Sequence, residues 1–229
     1  FAWAGTSGME RADTDLQLQN VKAACEAVRL ASKMNCKRFV NAGSIMEYEA
    51  MHGLMADNAL PALGCIYSTA KLTADFMAKT IAAAEQIGYI NVIISNIYGA
   101  GESSPRFLNT TLKKMLRNED IPLTQGTQMY DFIYVSDAVN AMIMSAKRGD
   151  ENASYYIGNS IQRPLKEFIL EMKEVLNSQS KLLFGEIPMG GAALTYREFD
   201  TLKLEKLGFT PQVTFPRGIE MTRDWILEE

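Results

Sequence analysis

The sequence has few of the residues that build disulfide frameworks and metal sites. It contains three cysteines, Cys25, Cys36 and Cys65, and a single histidine, His52. An odd cysteine count without a Cys-x-x-Cys spacing argues against a disulfide framework and a zinc site. One histidine also argues against a histidine-based metal centre or catalytic triad. We therefore expect no metal, free thiols and a reducing compartment, the cytoplasm.

Long apolar runs and an excess of basic charge are also lacking. No stretch approaches the roughly 20 apolar residues that a membrane-spanning helix needs. The formal net charge is −4, so the chain lacks the overall basic charge typical of nucleic-acid-binding proteins. Hydrophobic residues make up 47% and charged residues 22% of the chain, as in ordinary globular proteins. We expect neither a membrane nor a nucleic acid as a partner.

Strand-like and helix-like patterns alternate along the first half of the chain. Residues 14–35 repeat apolar side chains at three- and four-residue intervals, which predicts an amphipathic helix. A second long helix is predicted over 67–87, and apolar runs at 39–42 and 89–95 predict buried strands. This alternation predicts a parallel sheet that binds ligands beyond the carboxyl ends of its strands.

The two ends of the chain have different patterns. Residues 1–5 read like the end of a buried strand, so we expect an N-terminal piece to precede them.

Later elements are predicted as a loop over 96–105, helices over 107–118, 136–148, 164–177, 200–207 and 216–228, and strands over 130–135, 154–158 and 181–187. We expect the later part to form a small α/β lobe.

Tyr67 and Lys71 form the motif with the clearest chemical meaning. Residues four apart lie on one face of a helix, so both side chains can share a site. A free tyrosine has a pKa of about 10, and a nearby ammonium lowers it, which makes the phenol a usable acid and base. Ser44 follows the strand 39–42 and can hydrogen-bond the same substrate oxygen. The spacing of Tyr67 and Lys71 alone is weak evidence for catalysis. The position of the pair between two predicted strand ends strengthens that interpretation.

Several segments together resemble the extended short-chain dehydrogenase/reductases, the NAD-dependent epimerase/dehydratase family. The similar segments, in the family's order, are 1–4, Asn20, 39–44, the Tyr67/Lys71 pair, 95–99, 130–137, 156–159, 200–208 and 218–219. The resemblance implies an α/β fold, a partial Rossmann-type doubly wound parallel sheet with a small C-terminal substrate-binding lobe. The implied domains are a truncated dinucleotide-binding domain, 1–99 with 126–160, and a nucleotide-sugar lobe, 100–125 with 161–229.

The resemblance also implies roles for individual residues. The implied catalytic residues are Ser44, Tyr67 and Lys71. The implied contacts to NAD or NADP are Ala2, Ala4, Ala42, Gly43, Tyr67, Lys71, Ser95, Asn96 and Ile97. The implied contacts to a nucleotide-diphosphate sugar are Ser44, Asn96, Arg106, Tyr130 and Arg197. In the family the helices matching 14–35 and 67–87 pair across a homodimer, so we expect one here.

The sequence departs from the family in its phosphate loop and after its catalytic serine. The Gly-x-x-Gly-x-x-Gly loop, whose backbone approaches a diphosphate, is missing together with the residue that separates NAD from NADP. We therefore expect the chain as given to bind a dinucleotide poorly and to be inactive without its N-terminal part. Ile45 and Met46 replace the Asp-Glu pair of members that dehydrate, which argues against a 4,6-dehydratase. Glu47 comes one position late, and strand geometry would point it elsewhere.

A third departure concerns the arginine that contacts the sugar-nucleotide phosphate in the family. Tyr130 stands at its position. Arg197 is the favoured substitute, followed by Arg106, with Arg163 a further candidate, because a guanidinium suits a diphosphate. Each of the three is equally explained as a solvated surface arginine.

Three functions remain open from the sequence. The first is an NAD(P)-dependent nucleotide-sugar epimerase that oxidises and re-reduces a sugar carbon, expected to be C4. The second is an NADPH-dependent nucleotide-sugar ketoreductase of the same family. The third is a non-catalytic dinucleotide-binding regulatory protein, against which the intact set of Ser44, Tyr67 and Lys71 argues.

Overall fold

The computed structural model describes residues 3–6, 8–55, 63–188 and 199–228. The chain divides into two compact units. Unit 1 comprises Phe1–Ile94, Ala141–Ile157 and Asp200–Phe209, and unit 2 comprises Ser95–Asn140, Gly158–Phe199 and Thr210–Glu229. These units follow from compactness, and the functional domain boundaries expected from the sequence stay a prediction. Ala2 and Arg197 lie outside the described residues.

Helices and strands alternate through most of the described chain. The α-helices are α1 (Thr14–Lys33), α2 (Met46–Met55), α3 (Cys65–Ala84), α4 (Phe107–Leu116), α5 (Val135–Arg148), α6 (Leu165–Val175) and α7 (Phe215–Glu228). The strands are β1 (Arg38–Ser44), β2 (Gly88–Ile94), β3 (Asn96–Tyr98), β4 (Ile121–Leu123), β5 (Met129–Tyr130), β6 (Phe132–Tyr134), β7 (Ala153–Ile157), β8 (Arg163–Pro164) and β9 (Leu182–Phe184). None of these helices combines the length and apolarity needed to cross a membrane.

Unit 1 is built on a parallel sheet with the strand order β1-β2-β7. In its register Ser44 lies beside Ile94, and Ile94 lies beside Ile157, so the carboxyl ends of all three strands meet at one edge. β2 is buried along nearly its whole length, with Tyr89 and Ile90 fully inaccessible. The predicted parallel α/β arrangement is confirmed, and this edge carries Ser44.

The helices α1 and α3 pack together through small side chains. One cluster joins Val21 and Ala24 of α1 to Ala70 and Ala74 of α3, with Trp3 packed against it. Alanine has no side chain beyond Cβ, so two helices can approach closely along such a stripe. This packing holds the amino-terminal turns of α3, which carry Tyr67 and Lys71, in a fixed position.

Three predictions of local structure were wrong. Of the strand end predicted over 1–5, residues 3–5 are described and form no strand; the Ala4 N–H instead donates to Asn20 Oδ1 at 3.1 Å, and the Ala4 carbonyl accepts from Asn20 Nδ2 at 2.9 Å. Asn96–Tyr98, predicted as loop, forms β3 and pairs in parallel with β6. The helix predicted over 200–207 is mostly turns, with a 3-10 helix only at Glu205–Leu207.

Unit 2 has an aromatic core that joins its short strand pairs to its helices. The Phe168 ring lies 5.0 Å from Phe132 and 4.8 Å from Phe215, measured between ring centroids. Strands β3 and β6 are parallel, as are β4 and β9, whereas β5 and β8 are antiparallel. Buried aromatic pairs of this kind contribute about 0.5–1.5 kcal/mol beyond the area they bury.

Candidate functional site

Tyr67 and Lys71 lie one turn apart on the buried face of α3, with exposed fractions of 8% and 6%. Trp3 connects them. Its ring meets the Tyr67 ring edge-on at a centroid distance of 6.3 Å, and the Lys71 Nζ lies 4.0 Å from the indole centroid. The Trp3 Nε1 donates to Gln17 Oε1 at 2.9 Å, which holds the indole in this position. Nothing local to residues 1–5 indicates a contact with a distant helix, so the sequence alone predicts no role for Trp3.

A second cation approaches Tyr67 from another element. The guanidinium carbon of Arg11 lies 4.5 Å from the centroid of the Tyr67 ring, and Arg11 Nε is buried without a hydrogen-bond partner. Positive charge beside a phenol stabilises its ionised form. Arg11 belongs to a short 3-10 helix, Gly8–Ala12, and no motif in the sequence indicates this contact.

The Lys71 ammonium reaches the strand that ends at Ser44. Its Nζ donates to the Ala42 carbonyl at 2.9 Å. Burial lowers the pKa of Lys71 to about 8, while the nearby carboxylate of Glu47 acts in the opposite direction. Lys71 is therefore mainly protonated at neutral pH, and a small rise in pH above neutral is enough to begin removing its proton.

Ser44 is half-buried at the carboxyl end of β1, where the chain turns into α2. Its Oγ accepts a hydrogen bond from Met46 N at 3.2 Å, and its own N–H donates to Glu47 Oε1 at 2.8 Å. Glu47 therefore makes the glutamate half of a capping box, whereas the Ser44 hydroxyl accepts from the N–H of Met46 rather than from that of Glu47. Both bonds favour the start of a helix. The Ser-x-x-Glu spacing of Ser44 and Glu47 is visible in the sequence and could have predicted α2.

The prediction that strand geometry would point Glu47 elsewhere was wrong. Glu47 lies in the first turn of α2, and its side chain folds back to the N–H of Ser44. It is 3% exposed, and its Oε2 accepts from Asn91 Nδ2 at 3.2 Å. Burial raises the pKa of Glu47 to about 8, and the nearby Asp75 adds to the rise. Hydrogen bonds from Ser44 and Asn91 and the charge of Lys71 oppose it.

The other predicted cofactor contacts are distributed over both units. In unit 1, Ala42 is exposed and Gly43 is buried on β1. In unit 2, the Ser95 Oγ is buried without a hydrogen-bond partner, and Asn96 Nδ2 donates to the Asp131 carbonyl at 3.2 Å. Ile97 is half-buried in β3. Their contacts to a cofactor stay predictions.

The predicted sugar-nucleotide contacts of unit 2 have differing surroundings. Arg106 is exposed at the start of α4, with its Nε 3.7 Å from Glu102 Oε2. Tyr130 is half-buried and stacks on Phe132 with a centroid distance of 5.3 Å. Arg163 is engaged by Glu171 and lies over the Phe168 ring, which explains it as part of the packing. Arg106 therefore has the more accessible guanidinium of the two.

The residues present fit one half of a nicotinamide dinucleotide. The Lys71 ammonium lies at the end of β1 that carries Ser44, and the Tyr67 phenol lies one helical turn before Lys71. An ammonium, a phenol and a serine hydroxyl are groups that suit the hydroxyl and carbonyl oxygens of a ribose and a sugar. The sequence contains no Gly-x-x-Gly-x-x-Gly loop to receive the diphosphate. Within the described ranges, no cluster of three His, Cys, Asp or Glu side chains could hold a metal ion.

Comparison with known proteins relates this chain to a family. The sequence profile of the NAD dependent epimerase/dehydratase family matches residues 2–158. The CDP-abequose synthase of Salmonella muenchen is 30% identical over 135 residues, which are 58% of this chain and 46% of that protein. The chain spans about half the length of the curated relatives it matches.

Solved structures give the same fold. The UDP-glucuronic acid 4-epimerase of Bacillus cereus, in complex with UDP-glucuronic acid and NAD, matches with a TM-score of 0.75 at 17% identity, covering 100% of this chain and 73% of that one. The RMD protein of Pseudomonas aeruginosa, complexed with NADPH, matches with a TM-score of 0.71 at 16% identity, covering 97% and 79%. At these identities the likeness establishes the Rossmann-type α/β fold.

Proposed function

Because the chain belongs to the NAD-dependent epimerase/dehydratase family, we propose that it is part of an NAD(P)-dependent nucleotide-sugar epimerase. The observation that carries this proposal is the buried pair of Tyr67 and Lys71 on one face of α3, with Lys71 bound to the Ala42 carbonyl, two residues before Ser44. This pair puts an acid-base group beside a strand edge where ligands bind in open α/β sheets.

The proposed reaction is oxidation and re-reduction at one sugar carbon, C4. Tyr67, as the phenolate, takes the proton of the sugar hydroxyl, and the Ser44 hydroxyl holds the same oxygen by a hydrogen bond. NAD(P), when bound, supplies the acceptor and donor of the hydride from that carbon. Once the ketone has turned, hydride returned to its opposite face would invert the carbon, and Tyr67 gives the proton back to the oxygen.

Lys71 has an electrostatic and a binding role in this proposal. Its ammonium stabilises the Tyr67 phenolate, and its remaining N–H groups can bind the ribose hydroxyls of the cofactor. Arg11 adds positive charge at the Tyr67 ring. Trp3 keeps Tyr67 and Lys71 aligned, since its ring contacts both.

The two positions that carry an acid-base pair in dehydrating members of the family hold apolar side chains in this chain. Ile45, which directly follows Ser44, is 6% exposed and lies in the core of unit 1. Met46 is half-buried in the first turn of α2. Neither side chain can transfer a proton, so removal of water from the sugar is not part of the proposal.

The test is the Tyr67→Phe variant of the full-length protein, assayed with UDP-, dTDP-, CDP- and GDP-sugars in the presence of NAD or NADP. We expect epimerisation to be lost while the thermal unfolding midpoint stays close to that of the parent protein. Tyr155→Phe is the matched control: it removes the hydroxyl that accepts from Asp150 N at 2.8 Å and should change stability only.

Each alternative function gives a different outcome in the same assay. Turnover that requires added NADPH in stoichiometric amount would identify a ketoreductase acting through the same residues. Cofactor binding without turnover of any nucleotide sugar would favour a non-catalytic dinucleotide-binding protein. An unchanged rate in Tyr67→Phe would remove Tyr67 from the mechanism.

We also propose that the protein is a homodimer that pairs through α1 and α3. Large apolar side chains on these helices remain exposed, among them Leu18 at 60% and Phe76 at 73%. A groove of 380 Å³ runs between the two helices, lined by side chains that include Leu18, Ile66 and Thr69. Burial of such a surface against a second copy would remove apolar area from water.

A further inference from the structure

Gln17 is a buried amide on α1, and it holds the segment of chain that precedes this helix. It is 1% exposed. Its Nε2 donates to the Gly5 carbonyl at 2.9 Å and to the Glu10 carbonyl at 3.1 Å. Its Oε1 accepts from Trp3 Nε1 at 2.9 Å and from Asn20 Nδ2 at 3.4 Å. A glutamine side chain offers two N–H donors and two acceptor lone pairs, so the whole hydrogen-bonding capacity of Gln17 is used.

The segment that Gln17 holds carries two side chains that contact the Tyr67 ring. The Trp3 ring centroid lies 6.3 Å from that of Tyr67, and the guanidinium carbon of Arg11 lies 4.5 Å from it. Gln17 bonds Trp3 directly, and it bonds the carbonyl of Glu10, the residue before Arg11. One buried amide therefore holds two separate contacts of the proposed acid-base group.

The part of this segment that carries Arg11 is held by hydrogen bonds rather than by burial. The 3-10 helix Gly8–Ala12 contains no buried residue. Its Glu10 carbonyl accepts from Gln17 and, at 3.2 Å, from Asp13 N at the start of α1. Segments with few buried contacts open readily once such bonds are lost. We therefore expect Arg11 to be displaced when Gln17 can no longer donate.

Gly5 shows how closely the segment lies against Gln17. Its φ of +61° is in the left-handed region that favours glycine, and a Cβ there would lie 3.0 Å from Gln17 Nε2 and 2.7 Å from Leu16 Cδ2. A larger residue at position 5 would push the segment away from the amide and leave Gln17 itself unchanged. Gly5→Ala is therefore a second, independent way to weaken the same contact.

We propose that Gln17 is a positioning residue, which fastens Trp3 and Arg11 against Tyr67. The effect on catalysis rests on the proposed function, whereas the fastening of the segment does not. Methionine has nearly the same length and shape as glutamine but cannot form these hydrogen bonds. Gln17→Met therefore leaves the Trp3 N–H and the two carbonyls without this partner.

The first measurement needs no turnover and follows Trp3 itself. The full-length protein is labelled with 5-fluorotryptophan, and the fluorine NMR resonance of Trp3 is identified by its absence in Trp3→Leu. In Gln17→Met and in Gly5→Ala we expect this resonance to shift toward its position in the urea-unfolded protein, because the indole loses its fixed surroundings. A resonance at the parent position in both variants would overturn the fastening.

Two control variants separate positioning from a general loss of stability. Gln19→Met makes the same substitution at an exposed position of α1 and should leave the Trp3 resonance and kcat unchanged. Ser178→Ala removes a buried hydroxyl of unit 2 that donates to the Met115 carbonyl at 2.7 Å, so it should lower the thermal unfolding midpoint and leave kcat unchanged. An equal loss of kcat in Ser178→Ala and Gln17→Met would overturn the positioning role.

The second measurement is kcat and KM with the nucleotide sugar that the parent protein converts. Gln17→Met and Gly5→Ala should each lower kcat about tenfold because the acid-base group is misplaced, with the KM for the sugar unchanged within about twofold. In a protein that already carries Trp3→Leu and Arg11→Met, Gln17→Met should lower kcat no further, because it acts through those two side chains. A further fall of about tenfold in that protein would overturn the inference.

The outcomes also separate the inference from the proposed function. Unchanged kcat in both Gln17→Met and Gly5→Ala, with Tyr67→Phe inactive, would overturn the inference alone. A displaced Trp3 resonance in these two variants, with full activity in Tyr67→Phe, would instead overturn the proposed function.

Discussion

Gly43→Ala tests how strictly the end of β1 is packed. Gly43 lies between Ala42 and Ser44, which are held by Lys71 and Glu47. A Cβ at this position would lie 2.5 Å from Asn91 Oδ1 and 2.7 Å from Glu47 Oε1. Both distances are far below van der Waals contact, and both neighbours are buried and hydrogen-bonded, so the added methyl group must displace one of them.

The expected cost follows from this geometry. Overpacking in a well-packed interior costs about 1–3 kcal/mol, and loss of a hydrogen bond to a buried carboxyl group adds about 1–3 kcal/mol. The lower conformational entropy of unfolded alanine returns about 0.4–1 kcal/mol. We therefore expect Gly43→Ala to lower the free energy of unfolding by about 3 kcal/mol, within a range of about 1–6 kcal/mol.

Urea denaturation at pH 7 measures this change, and Gly53→Ala is the control. Gly53 lies within α2, and a Cβ there would meet nothing within 4 Å. Because alanine favours a helix over glycine, Gly53→Ala should raise stability by about 0.5–1 kcal/mol. Equal effects of the two substitutions, or a Gly43→Ala variant as stable as the parent protein, would refute the packing described at the end of β1.

Two further predictions concern the indole and the dimer. Trp3→Leu removes the ring that contacts Tyr67 and Lys71, so kcat/KM should fall about tenfold because the acid-base pair is misplaced. Trp225→Leu in unit 2 is the control. Equal losses of kcat/KM in the two variants would argue against a specific role of Trp3. Phe76→Glu places a charge on the exposed apolar face of α3 and should convert the dimer to a monomer, as measured by light scattering after gel filtration. Leu227→Glu on α7 is the control and should leave the dimer intact. A monomeric parent protein would contradict the proposed dimer.

The fold could be predicted where the information is local. The alternating apolar runs and amphipathic stretches predicted β1, β2, α1 and α3 within a few residues of their observed bounds. Asn96–Tyr98 is too short to show a pattern, and it becomes a strand only because β6 offers a parallel partner. Residues 3–6 show the converse, since Asn20 rather than a strand satisfies the Ala4 backbone.

The candidate site could be predicted only in part, because some of its contacts are local to one helix and others join distant segments. The spacing of Tyr67 and Lys71 is local to one helix, and it pointed directly to the pair. The contacts of Trp3 with both side chains depend on the packing of distant segments, and no spacing encodes them. Glu47 lies between these cases. Its spacing of three residues from Ser44 is a readable local signal, whereas its burial and its bond to Asn91 follow from the fold.

The proposed mechanism requires Tyr67 and Ser44 to act on the same oxygen of a nucleotide sugar. A crystal structure of the full-length protein with a bound nucleotide sugar tests it most directly. We expect Tyr67 Oη and Ser44 Oγ both to lie within about 2.6–3.2 Å of the same sugar oxygen, with Lys71 beside the phenol. A sugar bound with its hydroxyls out of reach of Tyr67, or with the phenol and the serine facing different groups, would contradict it.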